Sequence, residues 1–131
     1  MEVNRSVLYE KHIPIGYEFP ADFLAILNKI ELPDIAPWEF MCESQKYLDA
    51  WVGILNKYYP SRKLIPIARW NTSDDVVCFD AMDNGGMKVH FIHAYASAGW
   101  EERGVIDSFS AWYEIAKEDS MEHKNQQEDE V

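Results

Sequence analysis

Acidic side chains cluster where the middle of the chain turns. Asp74 and Asp75 lie in one polar segment, and Asp80 and Asp83 border the next. Carboxylates grouped in this way are candidate ligands for Ca²⁺ or Mg²⁺, which prefer oxygen atoms. The glycine and the terminal glutamate of the twelve-residue calcium loop are, however, missing at the required spacing. Because Asp also hydrogen-bonds the bending backbone in ordinary turns, we expect these residues to bind no metal.

His90 and His93 form a second candidate pair of metal ligands. Both belong to a segment with the composition of a β-strand, in which successive side chains point to opposite faces of the sheet. Residues three apart therefore face opposite ways and cannot bind one zinc ion together unless the strand bulges. His93 shares its parity with Val89 and Phe91, which predicts a partly buried, hydrogen-bonded side chain.

No motif in the chain points to catalysis. The sequence has no Gly-x-Ser-x-Gly segment, no phosphate-binding loop and no Gly-x-Gly-x-x-Gly segment. Glu101 and Glu102 are adjacent carboxylates, but adjacency alone does not make a general acid–base pair. We therefore expect a protein that is not an enzyme and holds no cofactor.

The candidate acids and histidines between Asp74 and His93 lie in a predicted β-meander over residues 64–93. Three runs rich in Val, Ile and Phe are separated by clusters of Asn, Asp, Gly and Ser, which is typical of short strands joined by tight turns. Short connections require neighbouring strands to pair antiparallel. Asn84-Gly85 suits the positive φ values of a tight turn, and Pro66 is expected at a strand start, an edge or a bulge. Residues 38–41 are a candidate for one more short strand.

Apolar residues recur at helical spacing in three further segments. The predicted helices lie near residues 20–31, 44–58 and 108–117. Pro20 and Asp22 suit the first turn of the first helix, and Ser44 is the expected N-cap of the second. Residues 94–104, with small side chains and two glycines, are expected to form a loop. Helices packed on an antiparallel sheet make an α+β fold.

The length and composition predict one domain with a polar extension. A chain of 131 residues fits a single core, and we find neither an internal repeat nor a linker. We assign residues 1–117 to the domain. Residues 118–131 are polar and acidic, so we expect at most one more helical turn there, followed by disorder.

The charge of the chain restricts its partners. The formal net charge is −11, and residues 1–117 alone still carry −6. Such a surface repels phosphate backbones, which argues against nucleic-acid binding, and it attracts basic proteins. No apolar run is long enough to span a bilayer. Cys42 and Cys78 are far apart in sequence and are expected to be buried thiols, as in a cytoplasmic protein.

Several segments occur in an order and spacing that indicate a family. They are Phe19-Pro20-x-x-Phe23-Leu24, Leu64-Ile65-Pro66-Ile67-Ala68, Val77-Cys78-Phe79-Asp80, Lys88-Val89, Ile92-His93 and Ser108-Phe109-x-x-Trp112. Over residues 17–117 the chain resembles the SUKH superfamily, which contains a fungal cell-wall-synthesis regulator and many bacterial immunity proteins. The resemblance implies an α+β domain with a mainly antiparallel sheet and a non-enzymatic role without fixed catalytic residues.

The resemblance also implies a protein partner. Many bacterial members look like antitoxins that bind and neutralise a polymorphic toxin, often a nuclease. An acidic surface is compatible with this role because it can mimic the substrate of a basic nuclease. We predict that an exposed aromatic residue and the acids near it contact the toxin. The predicted contact residues are Asp74, Asp75, Asp83, Trp100, Glu101 and Glu102.

A second hypothesis belongs to a different functional class. The chain contains more tyrosine and tryptophan than the apolar faces of the three predicted helices need. The chain is therefore also a candidate for a regulatory scaffold, or for a module that binds a small ligand on the concave side of the sheet. Nothing in the sequence indicates a homo-oligomer.

Overall fold

A five-stranded antiparallel sheet lies at the centre of the fold. The computed structural model describes residues 3–83 and 86–129 of the chain. In their order across the sheet, the strands are β1 (Trp38–Phe40), β2 (Leu64–Trp70), β3 (Asp75–Asp80), β4 (Val89–His93) and β5 (Glu102–Ile106). The helices are α1 (Ala21–Leu27), α2 (Gln45–Tyr58) and α3 (Phe109–Asp129), with short 3₁₀ helices at Arg5–Tyr9 and Met41–Glu43. The predicted α+β fold and its antiparallel meander, strands β2 to β4, are confirmed.

The helices cover both faces of the sheet. On one face, Phe79 packs against Phe23 of α1, with ring centroids 5.3 Å apart, and Trp112 of α3 packs against Trp38 at 5.5 Å. On the other face, the Arg69 guanidinium lies over the Trp51 ring of α2 at 5.1 Å. Successive side chains along each strand point to opposite faces of the sheet, so each strand packs against the helices on both faces. The middle of the sheet is therefore buried on both sides.

The second predicted helix is confirmed, and the first is shorter than predicted. The Ser44 hydroxyl accepts a 3.1 Å hydrogen bond from the Tyr47 amide, which caps α2. Helix α1 ends at Leu27, where the Arg5 guanidinium binds the free carbonyl groups of Leu27, Lys29 and Ile30. The predicted extension to residue 31 is wrong, and Ile30, which lies in that extension, is 75% exposed.

Helix α3 is longer than predicted. It continues to Asp129, so the expectation of disorder soon after residue 117 is wrong for residues 118–129; residues 130 and 131 lie outside the described part. The Trp38 indole N–H donates a 3.0 Å hydrogen bond to Asp119, and Lys124 pairs with Asp34 at 3.4 Å. Tertiary contacts therefore hold a segment whose composition alone predicts disorder. Among the described helices, none is long and apolar enough to cross a membrane.

Strand β5 replaces part of the predicted loop. Residues 94–104 were expected to be irregular, but Glu102–Ile106 pairs antiparallel with β4. Gly104 lies opposite Phe91, where a Cβ would come within 3.6 Å of the Phe91 ring. That distance is ordinary van der Waals contact, and a glycine in a strand weakens the sequence signal for that strand. The register shifts beside it, which marks a bulge at the start of β5.

The strand connections divide the molecule into two ends. Consecutive connections of an antiparallel meander alternate between the ends of the sheet. Residues 71–74 and 94–101 therefore lie together at one end, which we call the loop end. Residues 81–83 and 86–88 lie at the other, which we call the groove end. The predicted tight turn at Asn84-Gly85 lies outside the described residues.

Candidate functional site

The loop over residues 94–101 is fastened to the body of the domain. The Ala94 amide donates a 2.9 Å hydrogen bond to the carbonyl of Asp74 in the β2–β3 turn. The buried Tyr59 hydroxyl, at the end of α2, lies 3.1 Å from the carbonyl oxygen of His93 and 2.9 Å from that of Ala96. Contacts from two separate elements therefore hold the first half of the loop in one conformation.

The second half of the loop is closed by a buried carboxylate. Glu101 accepts a 2.6 Å hydrogen bond from the Gly99 amide through its side chain, and its own carbonyl accepts one of 2.8 Å from the His93 amide. The Trp100 amide donates to the carbonyl of Ser97 at 2.9 Å. Trp100 is thus presented from a backbone in which the Gly99 and Trp100 amides and the Glu101 carbonyl are hydrogen-bonded.

Aromatic side chains project from this end into solvent. Trp100 is 74% exposed and Tyr95 48%, and Tyr95 adopts φ +69°, a left-handed conformation that is uncommon for a bulky residue. Its ring makes an edge-to-face contact with Tyr58, with centroids 5.1 Å apart. Backbone strain of this kind is maintained only where the surroundings impose it, and it is concentrated at functional sites.

Two of the predicted contact acids lie beside the loop. Asp74 is exposed, and its carbonyl accepts the hydrogen bond from the Ala94 amide of the loop. Asp75, across the sheet from His93 in the β3–β4 pair, lies 3.0 Å from Nδ1 of that imidazole. His93 is accordingly half-exposed and hydrogen-bonded, as its parity predicted. Asp74, Asp75 and Trp100 therefore lie at the same end of the molecule.

Glu101 lies below the surface, contrary to its predicted place on it. It is only 6% exposed, and its Oε2 accepts a 3.0 Å hydrogen bond from Arg62 Nη1. Nε of the same guanidinium donates to Asp80 at 3.1 Å, and Nη2 lies 3.8 Å from Glu102. Arg62 follows α2 and reaches across the face of β3, β4 and β5. We call this group, with Asp83 and His90, the Arg62 cluster.

His90 completes the Arg62 cluster. Its Nδ1 lies 2.5 Å from Glu102 Oε1, and its Nε2 lies 3.3 Å from Asp83 Oδ2. An ionised carboxylate can only accept hydrogen bonds, and neutral imidazole has a single N–H. Both contacts are therefore hydrogen bonds only when His90 carries two protons. The cluster then sets two cations against four carboxylates in a site that is largely buried.

The hydrogen bonds between Glu101 and Arg62 favour the ionised form of both side chains. Burial alone would raise the pKa of Glu101, but hydrogen bonds from backbone amides and from Arg62 outweigh burial and lower it. Burial alone would lower the pKa of Arg62, but its bonds to Glu101 and Asp80 outweigh burial and raise it. Mutual pairing of this kind holds the loop end in place.

The two cysteines are free, buried thiols. Burial raises the pKa of Cys42 to about 12 and holds that of Cys78 still further above its usual range. Thiols with raised pKa values are poor nucleophiles and poor metal ligands. Within the described residues, no group of three His, Cys, Asp or Glu side chains has the arrangement to hold a metal ion.

The six predicted contact residues thus fall into two groups. Three of them (Asp74, Asp75 and Trp100) lie at the loop end, whereas Asp83, Glu101 and Glu102 belong to the Arg62 cluster. Sequence reasoning missed Arg62 as the residue that joins these acids, because it lies in an irregular connection without any pattern. It also missed Tyr95, whose conformation is set by the loop. The parity of His90, opposite to that of His93, placed it on the other face of the sheet, where the cluster lies.

Comparisons with protein-family models, with curated proteins and with solved structures each gave no match. The resemblance to the SUKH superfamily therefore stays a prediction that depends on residue order and spacing. The function has to follow from the geometry of the site itself.

Proposed function

We propose that this chain is a non-enzymatic immunity protein of the cytoplasm that binds and neutralises a basic toxin domain, such as a nuclease. The observation that carries the proposal is the exposed Trp100 on a loop fastened at both halves. Large aromatic residues dominate the binding energy of protein interfaces. A loop that is already ordered loses little conformational entropy when it binds, so more of the contact energy contributes to affinity.

The charge distribution supports a basic partner. Asp74 and Asp75 lie beside the loop, and the chain carries a net charge of −11. Complementary charge accelerates the diffusional encounter, and the buried aromatic then slows dissociation. The acids therefore mainly accelerate association with the partner, and Trp100 mainly slows dissociation.

A binding role also accounts for the Arg62 cluster. Its carboxylates are paired with Arg62 and His90, so they stabilise the loop end without an uncommitted acid–base pair. A regulatory scaffold would use the same exposed loop for a partner that is not a toxin. The two alternatives differ in one outcome, which is protection of a cell that expresses the toxin.

The test is co-expression with the product of the adjacent gene. We expect the wild-type chain to form a complex with that product and to rescue growth, and we expect Trp100→Ala to weaken both. Met121→Ala is the matched control, because Met121 is 66% exposed on α3. Binding without rescue would favour the scaffold, and failure to bind would overturn the toxin assignment.

A further inference from the structure

The Arg62 cluster joins connections at both ends of the sheet to one guanidinium. Glu101 accepts a hydrogen bond from Arg62 Nη1 at 3.0 Å and another from the Gly99 amide of the loop at 2.6 Å. Asp80 accepts one from Arg62 Nε at 3.1 Å and another from the Met82 amide of the β3–β4 connection at 3.0 Å. The loop over residues 94–101 and the β3–β4 connection therefore depend on the same, largely buried cation.

His90 is the second cation of the cluster, but only while it is protonated. Its Nδ1 lies 2.5 Å from Glu102 Oε1, the same oxygen that lies 3.8 Å from Arg62 Nη2. Its Nε2 lies 3.3 Å from Asp83 Oδ2 in the β3–β4 connection. The neutral ring has one N–H, so it donates to one of these carboxylates and turns a lone pair towards the other. Only the protonated ring therefore hydrogen-bonds to both β5 and the β3–β4 connection.

Loss of the His90 proton changes the charge balance of the whole cluster. One cation, Arg62, is then left for the four carboxylates of Asp80, Asp83, Glu101 and Glu102. An unbalanced charge is costly in a site with little access to water. Glu102 then competes with Asp80 and Glu101 for the guanidinium. The two carboxylates that hold the Met82 and Gly99 amides are therefore held less firmly themselves.

The ionisable groups around His90 come from five parts of the chain. They are Arg62 from the α2–β2 connection, Cys78 and Asp80 from β3, Asp83 from the β3–β4 connection, Glu101 from the loop and Glu102 from β5. Burial raises the pKa of Cys78, opposite His90 in the sheet, far above its usual range. Despite burial, hydrogen bonding lowers the pKa of Glu101 and raises that of Arg62. These three groups therefore keep their charge state between about pH 5 and 8, the range in which histidine usually changes its own.

We propose that the proton on His90 is a switch that fastens both the loop over residues 94–101 and the β3–β4 connection to the Arg62 cluster. Both are held while the proton is present, and both are loosened as the pH rises through the titration of His90. The switch is a property of the chain alone. Its effect on a partner rests on the proposed function: because Trp100 is then held less firmly, the toxin dissociates faster at higher pH.

Nuclear magnetic resonance of the full chain between about pH 5 and 8 tests the switch. The His90 ring reports the titration, the Gly99 amide reports on the loop, and the Met82 amide reports on the β3–β4 connection. We expect the Gly99 and Met82 signals to shift with the same midpoint as the His90 ring. Different midpoints, or amide signals that do not move in this range, would overturn the proposal.

His93 provides a matched control in the same strand. Its amide donates to the Glu101 carbonyl, and its ring lies 3.0 Å from Asp75, so its own titration could reach the loop. His90→Gln should abolish the shifts of the Gly99 and Met82 amides in this range, and His93→Gln should preserve them. The opposite result would assign the shifts to His93 and overturn the switch. If His90→Gln does not fold, the midpoints in the wild-type chain still decide.

The effect on binding is measured separately, on the complex. Surface plasmon resonance over the same pH range should show dissociation that accelerates with pH more steeply in wild type than in His90→Gln. Equal pH dependence in the two would overturn the link between the switch and binding. A chain whose amide signals follow His90 but that protects against no toxin would overturn the proposed function alone. A chain that protects but whose signals do not follow His90 would overturn the switch alone.

Discussion

Arg62 joins the buried carboxylates to the exposed loop. Its guanidinium holds Asp80 at 3.1 Å and Glu101 at 3.0 Å, and Glu101 in turn holds the Gly99 amide. Taking charges out of water is costly, and the pairing is favourable only while every member is present. The exposed face of the loop therefore depends on a residue that itself is largely buried.

Substitution of Arg62 should be strongly destabilising. Arg62→Ala leaves Asp80 and Glu101 buried without their cation, and we expect the free energy of unfolding to fall by about 3–5 kcal/mol. Arg103→Ala, which removes an exposed arginine, should change it by about 0.5 kcal/mol or less. Urea denaturation of both variants measures the difference. Similar losses in the two would contradict the role of the cluster.

Glu101 should make the domain sensitive to acid. Because its pKa in the folded state is lowered from the ordinary value of 4.5, Glu101 stabilises the fold above that value, and the contribution is lost as the pH falls through the folded pKa. Wild type should therefore lose stability on acidification more steeply than Glu101→Gln, which has no charge to lose. Asp34 also has a lowered pKa, so the comparison with Glu101→Gln isolates Glu101. Parallel pH profiles from urea denaturation would count against this account.

At the scale of elements, α3 shows how a polar segment becomes ordered. Its last turns would not fold by composition, yet Asp119 accepts a hydrogen bond from the Trp38 indole and Ser120 is buried. Most of the stability of a helix in a protein comes from tertiary packing rather than from intrinsic propensity. The middle of α3, beyond its predicted end at residue 117, is therefore part of the domain, and β1 contacts it there.

Asp119→Ala should loosen this part of α3. It removes the acceptor of the indole N–H of the buried Trp38, so we expect a loss of about 1 kcal/mol and faster hydrogen exchange in the following turns. Glu118→Ala removes a neighbouring exposed acid from the same helix and should have little effect on either. Unchanged exchange in Asp119→Ala would show that packing alone orders the helix.

At the scale of the whole molecule, the two ends of the sheet differ in character. The loop end presents aromatic side chains with acids beside them, and the groove end presents aliphatic and thioether side chains. The chain as a whole carries a net charge of −11, and its electrostatic field acts at both ends. A long-range field acts mainly on association, whereas short-range contacts act mainly on dissociation.

Charge reversal at the loop end should slow association with the toxin. Asp74→Lys with Asp75→Lys removes the local attraction, so we expect a lower association rate constant, a weaker dependence on salt, and an intact fold. Glu10→Lys with Glu31→Lys changes the net charge equally at exposed sites elsewhere. Stopped-flow measurements at several salt concentrations separate the effect of the charges at the loop end on the association rate from the effect of the net charge. If both pairs slow association equally, only the net charge matters.

Trp100→Ala should act on the other rate constant. Loss of a central aromatic contact costs about 2 kcal/mol or more, which corresponds to dissociation about 30-fold faster. The association rate constant should change little, and the melting temperature should stay the same because the side chain is 74% exposed. Surface plasmon resonance measures both rate constants. A slower association without faster dissociation would contradict the role of Trp100 in retention.

Local patterns in the sequence determined most of the fold. The 3.6-residue period predicted α2, the Ser44 cap and the start of α3, and the runs of β-branched and aromatic residues predicted the meander. These signals are local, because each depends on residues within one or two turns of the chain. The acidity of the chain and the polar surroundings of Trp100 were likewise visible without a structure.

Only the tertiary structure decided which acids share a site. Glu101 and Asp80 are far apart in the chain and meet because Arg62 reaches both, and β5 exists because β4 offers it an edge. Helix α3 passes its predicted end because Trp38 binds Asp119. Each of these depends on contacts between distant residues, which leave no periodicity in the sequence. Which acids are buried is a property of the assembled fold. The tertiary structure therefore decides which acid can contact a partner and which one supports the loop.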